Sequence, residues 1–245
     1  MDVNGNMDVI DIRRDLMAMR EEPYASFQAK LVPNIDSSRI LGVRMPLLRR
    51  YAKSLRDDSV KTAFFKDLPH AYHEENLLHA LLLSELQGDF DAVVAEFQAF
   101  LPYVDNWAVT DCFSPRVFDA EPARARAFCL SCLDSAHPYT VRFGIVMLLY
   151  RSLRETFDPA ILPRLASLSE GEYYIDMAVA WYLSQALAFD YEQTLPVLEQ
   201  SLFSRFVHNK AIQKAIESYR ISDAHKAELC LLRRHGKAES EEQHA

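Results

Sequence analysis

His73-Glu74-Glu75-Asn76-Leu77-Leu78-His79-Ala80-Leu81-Leu82-Leu83-Ser84-Glu85-Leu86 reads at the helical period, because Leu78, Leu81, Leu82 and Leu86 fall on one stripe. The same period returns on either side. Val9, Ile12, Leu16 and Met19 make a stripe upstream, and Ile175, Val179, Tyr182, Leu183 and Ala186 make one downstream. Prolines and Asx residues separate the stripes. Asp57 and Asp58 precede a helix over Ser59 to Lys66, Pro122 opens Ala123 to Leu133, Pro138 opens Tyr139 to Leu153, and Asp190 precedes Tyr191 to Phe203.

Helix starts recur at about His73, Asn106, Pro138, Glu172 and Val207, at intervals of 33, 32, 34 and 35 residues. One antiparallel helix pair fits each interval, and stacked pairs make a solenoid with an extended concave face. The tetratricopeptide pattern of Trp, Leu-Gly and Tyr is absent from the units, which places them nearer to HEAT-type pairs. The expected fold is therefore all-α: a superhelical solenoid of HEAT-like helix pairs with a concave basic groove. It forms a single domain over 1–236, and Gly236 stops the last helix before a polar, acid-rich, disordered tail, Lys237 to Ala245.

Composition narrows the functional classes. The 245 residues include only six glycines, and the closest two are 27 residues apart. A phosphate cradle of the Walker or Rossmann kind needs at least two within about six residues, so P-loop NTPases and Gly-fingerprint dehydrogenases are excluded. No apolar run approaches the roughly 20 residues of a membrane span, and the first 20 residues, with Asp2, Asp8, Asp11 and Asp15, do not read as a signal or transit peptide. Four cysteines are too few for a disulfide scaffold, which favours the cytoplasm. Cys129 and Cys132 form a lone CxxC inside an apolar-periodic stretch and read as helix packing rather than a metal site.

The net charge of −8 is unevenly distributed. Met1 to His70 carries 12 basic and 10 acidic side chains, whereas Ala71 to Phe100 carries six acids and no base. Arg39, Arg44, Arg49, Arg50, Lys53 and Arg56 fall between Asp36 and Asp57 with no acid among them, and Arg205, His208, Lys210 and Lys214 form a second acid-free stretch. Either is a solvated helix face or a place to meet phosphates; net charge sets the far field, but local clusters hold individual phosphates.

The sharpest local anomaly is Asp105-Asn106-Trp107-Ala108-Val109-Thr110-Asp111-Cys112-Phe113-Ser114-Pro115. Asp105 or Asn106 caps a helix that Pro115 limits to about two turns. Asp111 then falls in the last turn, at the negative end of the helix dipole, a placement that costs about 0.3 to 1 kcal/mol. Trp107, four residues earlier, shares its face. Local folding preference does not choose that carboxylate, which points either to a buried partner such as an arginine or to chemistry. Arg142, between Val141 and Phe143, reads as a snorkelling arginine or a site residue, and Trp181 as core or as part of a ligand cradle.

Taken together, Leu41 to Arg50, His73 to His79, Asn106 to Asp111, the Arg142 helix, Tyr173 to Trp181 and Asn209 to Ile212 resemble the DNA alkylation repair family of HEAT-like-repeat DNA glycosylases, over about Leu31 to Tyr219. The resemblance implies excision of alkylated purines. It casts Asp111 as the catalytic carboxylate, Trp107 and Trp181 as the indoles that border the lesion nucleotide, and Arg142 as a backbone contact. Position 106 is Asn where the family's glycosylases carry a second tryptophan. A 3- or 7-alkylated purine is cationic and leaves readily, so what develops at the sugar is oxocarbenium character that a carboxylate and indole faces stabilise.

The expected function is hydrolysis of the N-glycosidic bond of positively charged alkylated purines, of the 3-methyladenine and 7-methylguanine type, to leave an abasic site. The expected partner is duplex DNA bearing such bases, bound by a monomer that needs no nucleotide cofactor, organic cofactor or metal. Arg44, Arg49, Arg50, Lys53, Lys210 and Lys214 are the candidate phosphate contacts. The competing reading is a non-catalytic helical-repeat protein that binds damaged or branched nucleic acid, or a protein partner.

Overall fold

In the computed structural model, residues 9–153, 157–168 and 171–235 are described. The expected tail, Lys237 to Ala245, and the Gly236 helix stop lie outside them. Among the described residues there are fifteen α-helices and no strand, an all-α helical-repeat fold, and no helix is long and apolar enough to cross a membrane. The chain divides into two compact units, Met1–Val146 and Met147–Ala245.

The first unit contains α1 (Val9–Ala18), α2 (Glu22–Leu31), α3 (Met45–Ser54), α4 (Asp58–Lys66), α5 (His73–Glu85), α6 (Phe90–Phe100), α7 (Trp107–Cys112), α8 (Val117–Ala120), α9 (Pro122–Cys132) and nearly all of α10 (Pro138–Met147). Helix α5, the stretch richest in leucine, is buried from His73 to Ser84 and packs against both α3 and α7. Burial on every face explains why polar residues share the helix with leucine: each needs a partner there. Glu74 accepts from the Leu41, Gly42 and Val43 amides at 2.9, 2.7 and 3.2 Å. Glu75 closes the capping box by accepting from the Ala71 and Tyr72 amides, and it also takes Arg13 Nε at 2.9 Å.

Gly42 sits at φ +79°, and a Cβ there would lie 2.3 Å from the Glu21 carbonyl oxygen. The loop that Glu74 holds thus requires glycine. Gly144 serves α9 against α10 in another way, since a Cβ would come 2.6 Å from the Cys129 carbonyl oxygen. Cys129 and Cys132 are free, buried thiols in that packing, and burial pushes the Cys132 thiol up to about 12. An aromatic core joins the later helices: Phe97 lies 5.4, 5.7 and 5.8 Å from the Phe113, Phe118 and Phe143 rings.

The second unit opens on a π-helical turn, Leu148–Ser152, and contains α11 (Ile161–Ala166), α12 (Tyr173–Phe189), α13 (Tyr191–Glu199), α14 (Arg205–Glu217) and α15 (Asp223–Leu231). Helix α12 buries Ile175, Val179, Tyr182, Leu183 and Ala186, the stripe expected of it, and packs along α14. Leu187, Leu198, Ile212, Ala215 and Leu229 join α12 to α15 in one apolar cluster.

The recurring starts expected at His73, Asn106, Pro138, Glu172 and Val207 correspond to α5, α7, α10, α12 and α14. The last begins two residues early because Ser204 caps it, accepting from the Val207 amide. Two expected helices are shorter than periodicity suggests. Helix α10 passes into the π turn, where the Leu153 amide reaches the Leu148 carbonyl, and α13 stops at Glu199 before Ser201 at φ 60°.

Candidate active site

Helix α7 is held at both ends. Asn106 is its N-cap, with Oδ1 accepting from the Ala108 and Val109 amides at 3.0 and 3.3 Å. The same side chain is fully buried; its Nδ2 donates to Asp105 Oδ1 at 2.8 Å and lies 3.1 Å from His73 Nδ1. Arg39 pairs with the other Asp105 oxygen at 3.2 Å. Burial keeps the His73 imidazole below its usual range, against the pull of Glu74 and Asp105. At the far end, the Ser114 amide donates to Ser84 Oγ at 2.9 Å, which ties the exit of α7 to the end of α5.

Trp107 is half-buried against the Ala25, Val32, Ile35 and Ile40 cluster, and its Nε1–H donates to the Leu31 carbonyl at 2.9 Å. One turn on, Asp111 meets Arg142 from α10. Arg142 Nε donates to Oδ1 at 2.9 Å and Nη2 to Oδ2 at 2.6 Å, a two-pronged pair. The guanidinium side chain is 7% exposed and the carboxylate side chain 16%. The two helices are brought to this spacing by the edge-to-face contact of Phe113 with Phe143, at 5.1 Å and 82°. The Thr110 hydroxyl lies 2.9 Å from Asp111 Oδ1 and 2.8 Å from the Trp107 carbonyl, and its one proton serves either.

The anomaly at Asp111 therefore has an electrostatic answer. The carboxylate at the negative end of the α7 dipole is offset by a buried arginine from another helix. A second cation acts nearby: the Arg49 charge draws down the neighbouring Cys112 thiol, although burial prevails and pushes that thiol up to about 12.

Arg49, Arg50 and Lys53 are exposed on α3 and have no ion-pair partner among the described residues, whereas Arg44 is held by Glu21 at 2.8 Å and stacks over Tyr24 at 4.6 Å. Lys210 and Lys214 lie half-buried on α14, in the second unit, with Lys210 Nζ donating to Gln213 Oε1 at 3.2 Å. Trp181 belongs to that unit too. It meets the Tyr150 ring edge-on at 5.6 Å and 89°, and lines a cleft of about 350 Å³ with Gln185, Phe189 and Arg220. The structure thus brings Trp107, Asp111 and Arg142 together in one unit, while Trp181 stands in an aromatic cleft of the other.

The network of His73, Asn106, Asp105 and Arg39 under α7 was not legible as a unit. In the sequence Asp105 and Asn106 are candidate caps, Asn106 also stands at a family tryptophan position, and Arg39 is one of a basic run that gives no sign of which acid each arginine meets.

Comparison with curated proteins and with solved structures finds no match. A family model described as DNA alkylation repair enzyme matches residues 12–217. That span contains α7, α10, the α3 arginines and Trp181, and it shows that the chain belongs to the DNA alkylation repair enzyme family, with a role in DNA repair.

Proposed function

We propose that the chain is a DNA glycosylase that hydrolyses the N-glycosidic bond of positively charged alkylated purines, of the 3-methyladenine and 7-methylguanine type, in duplex DNA. The observation that carries this reading is the state of the Asp111 carboxylate. A carboxylate offers about four acceptor positions. Arg142 takes two and the Thr110 hydroxyl is placed for a third, which leaves about one for a water or a sugar.

Water adds to C1′ as the C1′–N bond breaks, and the bonding pair passes to the purine and cancels its charge. The proton that the water loses goes to the remaining Asp111 position or to solvent. Because the leaving group is already cationic, the step asks little acid catalysis and no cofactor. Arg142 orients the carboxylate and draws off part of its charge, which suits a group that positions water and stabilises a cation better than one that forms a covalent bond. Trp107, pinned through its indole N–H, offers cation-π stabilisation to the same sugar. In the first unit Arg44, Arg49, Arg50 and Lys53 supply phosphate contacts; in the second Lys210 and Lys214 do the same, and Trp181 offers its indole to the lesion nucleotide. The enzyme works as a cytoplasmic monomer.

A second reading is favoured by the completeness of the Asp111–Arg142 pair, which also suits a structural ion pair in a helical-repeat module that binds damaged or branched nucleic acid. One experiment separates them. Release of 7-methylguanine and 3-methyladenine from methylated duplex is measured for the wild type and for Asp111→Asn. The glycosylase reading expects wild-type release and a loss on the order of 10²-fold in the variant. Equal release by both removes Asp111 from the mechanism, and no release from DNA that the wild type binds favours the module.

A further inference from the structure

A cleft of about 440 Å³ lies between α14 and the segment after α15, lined by Arg205, Phe206, Lys210, Arg233, Arg234 and His235 among others, with no carboxylate among the described residues of its lining. Arg234 is firmly fixed there. Asn209 Nδ2 donates to the Arg234 carbonyl and Asn209 Oδ1 accepts from the Arg234 amide, both at 2.9 Å, while Arg234 Nη1 donates to the Phe203 carbonyl at 2.9 Å. Its Nη2 is buried without a partner. Burial lowers the Arg234 pKa and no acid opposes it; the same charge adds to the burial that keeps His208 below its usual range.

Two exposed rings stand beside these cations. Phe206 and Tyr173 have centroids 6.1 Å apart, and Lys210 Nζ lies 5.9 Å from the Phe206 centroid. Exposed aromatic faces next to Lys210 and Arg233, which have no ion-pair partner among the described residues, are the elements of a platform for unpaired nucleic acid, since every base has a face to stack and every nucleotide a phosphate to neutralise. Duplex DNA offers the phosphate but keeps its bases stacked.

We propose that this cleft is a second nucleic-acid contact that holds a backbone phosphate of an unpaired strand while Phe206 stacks its base. The proposal rests on DNA being the ligand and is independent of the role of Asp111. Lys210 and exposed Arg233 supply the phosphate donors, and the fixed Arg234 and Arg205 add positive charge to the lining.

The test is fluorescence anisotropy on the full chain, with a labelled single strand of about 12 nucleotides and a blunt duplex of the same sequence, titrated over a range of salt. Phe206→Ala is expected to weaken single-strand binding about tenfold with an unchanged salt slope, and to leave the duplex within about twofold. Lys210→Gln combined with Arg233→Gln is expected to weaken it about tenfold and to flatten the log–log salt slope by about 1.4. Single-strand affinity unchanged in both variants, or equal losses for strand and duplex in Phe206→Ala, overturns the proposal. A wild type that releases no alkylpurine fails the glycosylase reading without moving these affinities.

Discussion

Two fixed arginines of this chain, Arg142 in the first unit and Arg234 in the second, are opposite cases. Arg142 spends Nε and Nη2 on the Asp111 carboxylate; Arg234 donates to a neutral carbonyl and leaves Nη2 buried and unmatched. The contrast extends to the surroundings. Around α5 and α7, Glu74, Glu75, Asp105, Arg13 and Arg39 all have partners, so charge there is committed to holding the loops that seat the site. Around α14, cations line a cleft that holds no acid among the described residues. Compensated charge fixes a site, whereas uncompensated charge recruits a ligand from outside.

The strongest way to break the comparison is to strip Arg142 of its counter-ion. Asp111→Ala leaves a 7%-exposed guanidinium without its carboxylate, and about 3–5 kcal/mol of stability is expected to go. Asp111→Asn keeps the shape and one acceptor and is expected to lose less than half of that. Denaturant melts of the two variants check this; equal midpoints would show that the pair does not hold the fold.

The next effect concerns the buried imidazoles of the first unit. His70 and His79 face each other at 2.8 Å, and the rings of Phe64, Phe65 and Phe100 surround them. Burial lowers His70 to about 4 and puts His79 well below its usual range. Both are depressed, so the unfolded chain binds protons that the folded one refuses. Their stabilising effect is complete above about pH 6.5 and is lost as pH falls toward 4, on the order of 3 kcal/mol for His70 alone. Thermal melts across that window should show it, and His79→Leu should flatten the slope. A wild-type profile already flat between those values would refute the assignment.

The smallest effect is expected at Arg44. Its pair with Glu21 is exposed, so Arg44→Ala should cost less than about 1 kcal/mol, and only at low salt. A larger or salt-independent loss would mean that stacking on Tyr24, rather than charge, secures the residue.

Much of the fold was legible because helical periodicity is local. The stripes on α5 and α12 named the helices that are buried, and the recurring starts fell on α5, α7, α10, α12 and α14. The boundaries that periodicity overran, in α10 and α13, end on backbone events: a π turn and a left-handed serine. At the site, the short α7, its Asn106 cap and the awkward carboxylate could all be read, because capping and the helix dipole act within a turn or two. The acid-free run before Asp57 was legible only as charge. In space, Arg39 reaches Asp105 and Arg44 reaches Glu21, and Arg49 and Arg50 remain exposed. Arg233 and Arg234 gave no signal as a site, since their cleft requires α14 to stand opposite the segment after α15.

By itself, then, the sequence determined what short-range physics controls: the all-α class, the helix-pair spacing, the length of α7, the place of Asp111 at its end, and the exclusion of glycine-cradled nucleotides. The tertiary structure alone decided which charge meets which. The partner of Asp111 is 31 residues away and that of Arg39 is 66, and no local rule spans such distances. Whether a cation becomes a strut or a binding group depends on the counter-charge that packing delivers, because Coulomb energies in a protein follow distance and burial rather than order along the chain.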